Sequence, residues 1–225
     1  MKRWKELGIA TIPGTSQHLY LYQGTDDFSI KLARGHELMN TRKHGSEDAL
    51  GALPCRRLAD RRAPRVLIGG LGMGFTLAAV LAEVGDGARV TVAELVPEVV
   101  EWNRGPLGQA SGYPLNDPRT RVHIGDVAEL LRGSREAFDV IALDVDNGPE
   151  GFTTRGNDWL YSLEGIAVTS GALRPAGVLA YWSAEPHRAF SRRLGQCGLD
   201  YEEVQVYAHG NRGARHTIWL VRKPA

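Results

Sequence analysis

The sequence predicts an α/β fold: a mostly parallel, seven-stranded sheet with helices on both faces, ending in an antiparallel hairpin and preceded by a small β unit. Three observations carry this. Val66-Leu67-Ile68 runs directly into Gly69-Gly70-Leu71-Gly72-Met73-Gly74 and then into an apolar stretch ending at Val84, the pattern of a buried strand, a tight loop and a helix. From Arg65 onward, short apolar runs alternate with helical patterns, which implies parallel strands joined by helical crossovers. At the end, strand patterns over 201–208 and 215–222 are joined by a loop of Ala208 to Ala214 containing Gly210 and Gly213, so the last strand turns back as a hairpin.

Taken in order, residues 1 to about 44 read as β structure. Leu19-Tyr20-Leu21-Tyr22 and Phe28-Ser29-Ile30-Lys31-Leu32 flank Gly24-Thr25-Asp26-Asp27, a hairpin pattern. Glu37-Leu38-Met39-Asn40 adds a strand. Ser46-Glu47-Asp48 is expected to cap a helix that runs to about Leu53, where Pro54 intervenes. Arg56 to Pro64 reads as a solvated basic linker carrying Arg56, Arg57, Arg61 and Arg62. This gives an N-terminal β-hairpin domain with its connecting helix at 1–55 and a main domain at 56–225. Main-domain strands are expected at 65–69, 89–94, 121–125, 138–144 and 177–183, and helices at 73–84, 97–104, 127–132, 158–172 and 186–196. Pro97 stands where a first-turn proline is tolerated.

The 225 residues suffice for one large α/β domain with a small appendage. A hydrophobic share of 43% and a charged share of 24% describe an ordinary globular chain. A net charge of +1 points neither to nucleic acid nor to an anionic membrane. Cys55 and Cys197 are far apart and make no metal spacing, which fits a reduced, cytoplasmic chain. His36, His44, His123, His187, His209 and His216 show no metal spacing either, so no metal site is expected. No apolar run is long enough to cross a bilayer.

Ligands in such sheets bind outside the carboxyl ends of the strands, where strand order reverses. Gly70, Gly72 and Gly74 let a ligand approach the backbone with no Cβ in the way, and the helix behind them offers free amides. Glu94 ends the second strand, where a carboxylate suits the two hydroxyls of a ribose. Strand, loop, helix, strand and acid in this order indicate a nucleoside-type cofactor. Phe75 stands where a dinucleotide fingerprint needs its third glycine. Asp126 reads equally as a helix N-cap and as an acceptor for an amine such as adenine N6. Asp144, Asp146 and Asn147 follow the fourth strand. Trp159 and Tyr161 read equally as an acceptor-pocket wall and as a packing face. Gly151 and Gly156 would permit Phe152 to Asn157 to move as a lid, and the sequence leaves that open.

These segments resemble the class I S-adenosylmethionine-binding, Rossmann-like methyltransferase fold, and within it the spermidine synthase (polyamine aminopropyltransferase) family, over nearly the whole chain. Val66 to Gly74 looks like the family's glycine-rich motif, Val92 to Pro97 like its ribose motif, and Ile124-Gly125-Asp126 like its adenine segment. Phe138 to Asp144 looks like the segment ending in its catalytic aspartate, with Gly148-Pro149 beyond. Leu173 to Leu179 resembles the turn into its fifth strand. Gln17 to Leu21 and Leu32 to Gly35 look like its N-terminal β domain, and Ser46-Glu47 falls near its Tyr-x-Glu or His-Glu stretch. Gly72 stands where the family has the aspartate that anchors the donor's amino group. Asn147 stands at its second loop acid, beside Asp146. The gating tyrosine is not evident among Thr41 to Ser46.

The resemblance implies an aminopropyl or related alkyl transfer from an S-adenosyl sulfonium donor to a small-molecule amine or other nucleophile. S-adenosylmethionine or its decarboxylated form would be the co-substrate, with no metal. Gln17, Gly70, Gly72, Gly74, Glu94 and Asp126 would hold the cofactor. Asp144 would act as base, assisted by Asp146, with Glu47, Asn147 and Trp159 on the substrate. A homodimer is what the family suggests. Two other readings stay open: a small-molecule methyltransferase using intact S-adenosylmethionine, and a non-catalytic nucleoside-binding protein.

Overall fold

The computed structural model describes residues 4–58, 61–145, 157–210 and 212–225. The N-terminal sheet is an antiparallel meander of β1 (Lys5–Thr11), β2 (His18–Gln23), β3 (Phe28–Leu32) and β4 (Glu37–Asn40). Three of these are the expected strands. Lys5–Thr11 has no clear alternation and becomes a strand by pairing with β2.

The main sheet contains β5 (Arg65–Gly69), β6 (Arg89–Glu94), β7 (Thr120–Ile124), β8 (Phe138–Leu143), β9 (Leu173–Ser183), β10 (Asp200–His209) and β11 (Arg212–Arg222). Their spatial order is β10-β11-β9-β8-β5-β6-β7. β7, β6, β5, β8 and β9 are mutually parallel, and β11 pairs antiparallel with both β9 and β10. The chain leaves β5 toward β6 and β7, then crosses back to β8 on the other side of β5. Strand order therefore reverses between β5 and β8, and a crevice opens at their carboxyl ends.

The parallel strands are buried on both faces, so apolar residues alternate between two cores. Val66 and Ile68 of β5 face one cluster while Leu67 faces the other. On the second face, Tyr161, Tyr181, Phe190 and Trp219 pack edge-on or tilted with ring centroids 4.9–5.7 Å apart, a geometry that adds to simple area burial. At the amino end of β8, Asp139 is fully buried and accepts from Arg65 N at 2.7 Å and from the Arg61 guanidinium. The expected solvated linker is therefore corrected in part: Arg61 ties it to the sheet, while Arg56 and Arg57 pair with Glu83 and Glu202.

The helices are α1 (Gly45–Arg57), α2 (Phe75–Glu83), α3 (Pro97–Arg104), α4 (Gly108–Ser111), α5 (Val127–Arg132), α6 (Leu163–Ala172) and α7 (Arg188–Gln196). Two of them, α1 and α6, differ from expectation for physical reasons. α1 continues through Pro54 to Arg57; the proline removes one amide donor but is buried where α1 packs, and packing outweighs the lost bond. Ser46 does not cap α1, because its hydroxyl points to Glu47 and His216 instead. The pattern over 158–172 is broken: a 3₁₀ turn at Asn157–Tyr161 precedes Ser162, whose Oγ accepts from Gly165 N at 3.1 Å and starts α6 afresh. β9 also starts earlier than expected, and β10 and β11 run further into their turn, with His209 opposite Arg212.

α1 crosses α2 at very short range. A Cβ on Gly51 would lie 2.5 Å from the Thr76 carbonyl and 2.8 Å from Ala79 Cβ. The glycine sets the distance between α1, which carries Glu47 one turn earlier, and the first turn of α2, which carries Thr76. The expected domain division at 55/56 falls in the last turn of α1, and α1 packs against α2, β8, β9 and β10 of the main sheet. Gly51→Val should overpack this crossing and cost about 1–3 kcal/mol, read as a lower urea midpoint. An unchanged midpoint would mean that the two helices are free to separate.

Candidate active site

The crevice at the β5/β8 switch is lined on one side by the loops after β5, β6, β7 and β8 and on the other by apolar residues of the N-terminal sheet. Gly70 sits at its centre. Its φ is +91°, and a Cβ there would lie 2.2 Å from the Asp144 carbonyl, so no other residue lets the β5 loop approach the end of β8. The two strands continue this contact with a bond from Asp144 N to Gly69 O of 2.7 Å.

Glu94 ends β6, lines the crevice and is only 8% exposed. Its Oε2 accepts from Leu71 N at 2.9 Å and its Oε1 from Val96 N at 2.8 Å. Burial pushes its pKa up, while the amides of Val96, Leu71, Gly72 and Leu95 pull it down. A carboxylate has about four lone-pair sites, so after binding these amides it still has acceptor capacity for ligand hydroxyls. Glu94 is thus a strut of the glycine loop as well as a ligand candidate. Asn103, which the sequence reading passed over, pins the same loop from α3 through Nδ2 to Gly72 O at 2.9 Å. Asp126 caps α5, accepting from Ala128 N at 2.8 Å, and also lines the crevice; the two readings left open for it are compatible.

Asp144 and Glu47 bring two more carboxylates to the same space. Thr76 donates to Asp144 Oδ2 at 2.9 Å. Burial pushes Asp144 up to about 6, opposed by the Thr76 bond and reinforced by the charge of Glu94. Burial, with the Asp144 charge next, pushes Glu47 up to about 7, against the bond from Ser46. Two desolvated acids of like charge hold protons that exposed acids would have released. Around them the wall is apolar, with Leu38, Met39, Leu71, Met73 and Trp182. Among the described residues, no group of three or more His, Cys, Asp or Glu side chains could hold a metal ion, and no helix is long and apolar enough to cross a membrane.

A family model described as the spermine/spermidine synthase domain matches residues 52–189. The chain belongs to the spermine/spermidine synthase family. A polyamine aminopropyltransferase of Korarchaeum cryptofilum is 31% identical over 124 residues, which is 55% of this chain and 36% of that protein, so the chain spans about a third of the length of this relative. A spermidine synthase solved in complex with the transition-state analogue AdoDATO superposes with a TM-score of 0.77 at 20% identity, covering 97% of this chain and 72% of that one. Spermidine synthase from Thermotoga maritima gives 0.75 at 22% identity, covering 92% and 69%. A probable spermidine synthase from Corynebacterium glutamicum gives 0.67 at 18%, covering 96% and 79%. At these identities the structural likeness establishes the fold.

Within this family's fold, the expected site residues divide clearly. Gly70, Gly72, Glu94, Asp126, Glu47 and Asp144 share the crevice. Gly74 does not line it: it caps α2 with φ +83°, and a Cβ there would meet Ser111 Oγ at 2.8 Å, so its role is the turn. Gln17 is exposed on the turn between β1 and β2 and also lies outside the lining, because β2 directs Leu19 inward instead. Trp159 packs behind the sheet, its ring 3.9 Å from the Arg132 guanidinium, and does not reach the crevice. Asp146 and Asn147, and the lid expected over Phe152 to Asn157, lie outside the described residues except for the 3₁₀ turn beginning at Asn157. Gly72 meets Met39: a Cβ at Gly72 would lie 3.4 Å from Met39 Sδ. A thioether therefore stands over Gly72 in the glycine loop.

The raised pKa values of Asp144 and Glu47 have a consequence for stability. Ordinary values are 3.8 and 4.5, against about 6 and 7 in the fold. Between about pH 4 and 7 the native state then binds more protons than the unfolded state, so these acids make stability fall as pH rises. Relative to wild type, Glu47→Gln should gain stability as pH goes from 5 to 8 in the unliganded protein, read by thermal unfolding. A difference that is flat with pH would mean that Glu47 titrates as an exposed acid.

Proposed function

We propose that the chain transfers an aminopropyl or related alkyl group from an S-adenosyl sulfonium donor to a small-molecule amine. The observation that carries this reading is the meeting of Asp144, Glu47 and the ribose candidate Glu94 in one apolar crevice at the strand-order switch. The ribose would lie on Glu94, the adenine toward Asp126, and the sulfonium side toward Asp144. The amine nitrogen attacks the carbon beside sulfur, and the carbon–sulfur bond breaks. Its electron pair stays on sulfur, giving methylthioadenosine, while the nitrogen loses a proton to Asp144. Holding the two reactants in line supplies the remaining advantage, roughly 7–11 kcal/mol in favourable cases.

Burial suits Asp144 to the task. An alkyl ammonium with a lysine-like pKa near 10.4 lies about 6.5 units above an ordinary aspartate, roughly 9 kcal/mol of uphill transfer. With Asp144 at about 6, the gap shrinks to about 4.4 units, or roughly 6 kcal/mol. Glu47 adds a second acid that attracts a cationic acceptor when ionised.

One observation loosens the donor assignment. With Met39 packed over Gly72, no carboxylate stands there to bind the amino group of a decarboxylated donor. Intact S-adenosylmethionine carries an amino group as well, so the loss loosens the case for the decarboxylated donor without establishing a methyltransferase that uses the intact one. The purified chain incubated with each donor and a panel of diamines and monoamines separates the two. Methylthioadenosine release supports alkyl transfer, S-adenosylhomocysteine supports methyl transfer, and nucleoside binding with neither product supports a non-catalytic role.

Two substitutions test the assignments. Asp144→Asn should lower turnover about 10²–10⁴-fold, the usual contribution of a general base, with methylthioadenosine affinity within several-fold by calorimetry. Lost binding with intact turnover at saturation would make Asp144 a donor anchor instead. Glu94→Gln should weaken nucleoside binding by roughly 1.5–3 kcal/mol and also lower the melting temperature, since Glu94 holds the Leu71 and Val96 amides. Unchanged affinity would remove the ribose from Glu94.

A further inference from the structure

Behind the acid pair, hydrogen bonds lead from Glu47 to a histidine near the sheet edge. Ser46 Oγ lies 2.6 Å from Glu47 Oε2 and 2.8 Å from His216 Nδ1. Ser46 is fully buried, and His216 on β11 is half-buried. His216 does not line the crevice; Trp182, which does, stands edge-on against it with ring centroids 4.9 Å apart. A hydroxyl has one proton to give and lone pairs to accept with, so the same heavy atoms fit two proton arrangements. With Glu47 ionised, Ser46 donates to the carboxylate and accepts from His216 Nδ1–H. With Glu47 protonated, Glu47 donates to Ser46, and Ser46 donates to a bare His216 Nδ1.

We propose that Glu47, Ser46 and His216 form a proton relay that drains the proton of the acceptor amine from the buried acid pair, with His216 as its outer station. This rests on the reading that the acid pair receives that proton. The relay starts as the Asp144 O–H bond breaks and the proton taken from the amine passes to the Glu47 carboxylate. The Glu47 O–H bond then breaks as a proton passes to Ser46 Oγ, and the Ser46 O–H proton passes to His216 Nδ1. The resulting imidazolium loses its Nε2 proton to water. Nothing is oxidised or reduced, and the serine ends with the one proton it began with.

The surrounding charges support this direction. Asp144 beyond β8 and Asp48 on α1 face Glu47 and make a proton welcome there during the chemistry. Burial and the Lys43 charge lower the His216 pKa, so its ring is neutral at neutral pH, able to accept a proton and quick to release it. α2 presents Thr76 and β9 presents Trp182, neither of which carries charge. The ion pairs Arg56–Glu83 and Arg57–Glu202 engage the opposite end of α1.

The test uses His216→Gln, whose amide can donate to Ser46 but cannot pass a proton on. Turnover should fall roughly 10- to 100-fold, at or below the lower edge of a general base's contribution, with KM and methylthioadenosine affinity unchanged. Full activity in His216→Gln would make the histidine a structural partner only and overturn the relay. A second readout does not depend on activity. Nitrogen NMR of His216 should show its proton move from Nδ1 to Nε2 as Glu47 is titrated, and Ser46→Ala should uncouple the two. A tautomer that stays fixed through the Glu47 titration overturns the relay whatever the enzyme does. Coupled titration without turnover on any amine supports the relay and counts against the transferase reading instead.

Discussion

The approach of Gly70 to Asp144 is the contact on which the site depends. β5 and β8 are neighbours only because strand order reverses between them, and their ends can close on each other only where one residue lacks a Cβ. That closure puts the glycine loop, with its free amides, beside the carboxylate of β8. Glu94 and Asn103 then fix the loop from below, through Leu71 and Gly72. Any side chain at Gly70 would separate the nucleoside platform from the acid, so the fold and the chemistry share one constraint.

Three of the four carboxylates that line the apolar crevice, Glu47, Glu94 and Asp144, are costly to bury. Desolvation raises each of them, and like charges nearby raise Asp144 and Glu47 further. A structure selected only for stability would replace them with apolar residues of similar size. Their retention follows if a cation or a labile proton passes through the site. Each acid is differently supported: Glu94 by backbone amides, Asp144 by the Thr76 hydroxyl, Glu47 by Ser46. Asp144 and Glu47 are thereby suited to exchanging protons near neutral pH.

Much of this was legible in the sequence, and the rest was hidden for identifiable reasons. The alternation of apolar runs with helical patterns, the glycine loop and the closing hairpin revealed the parallel sheet and its antiparallel edge, while the switch point depends on which strands pair and came from the structure. Glu94, Asp126 and Asp144 could be found because each ends a strand whose boundary is sharp. α1 ran past Pro54 because tertiary packing overrode a local breaker, and Ser46 looked like a cap because capping residues and buried hydroxyls are the same residue types. Gln17 was placed by resemblance, Trp159 was left open between a pocket wall and a packing face, and neither turn geometry nor helix phase could show which way they face. Met39, Trp182 and His216 come from strands distant in sequence. Thr76, in the first turn of α2, was the one partner that lay within a motif.

The central claim is that a bound nucleoside thioether lies across the switch point with its ribose on Glu94 and its sulfur toward Asp144. A structure of the protein with methylthioadenosine tests this most directly. The account predicts both ribose hydroxyls within hydrogen-bond reach of Glu94 and the sulfur facing the space between Asp144 and Glu47. A nucleoside with its ribose away from Glu94, or its sulfur turned from both acids, would contradict it.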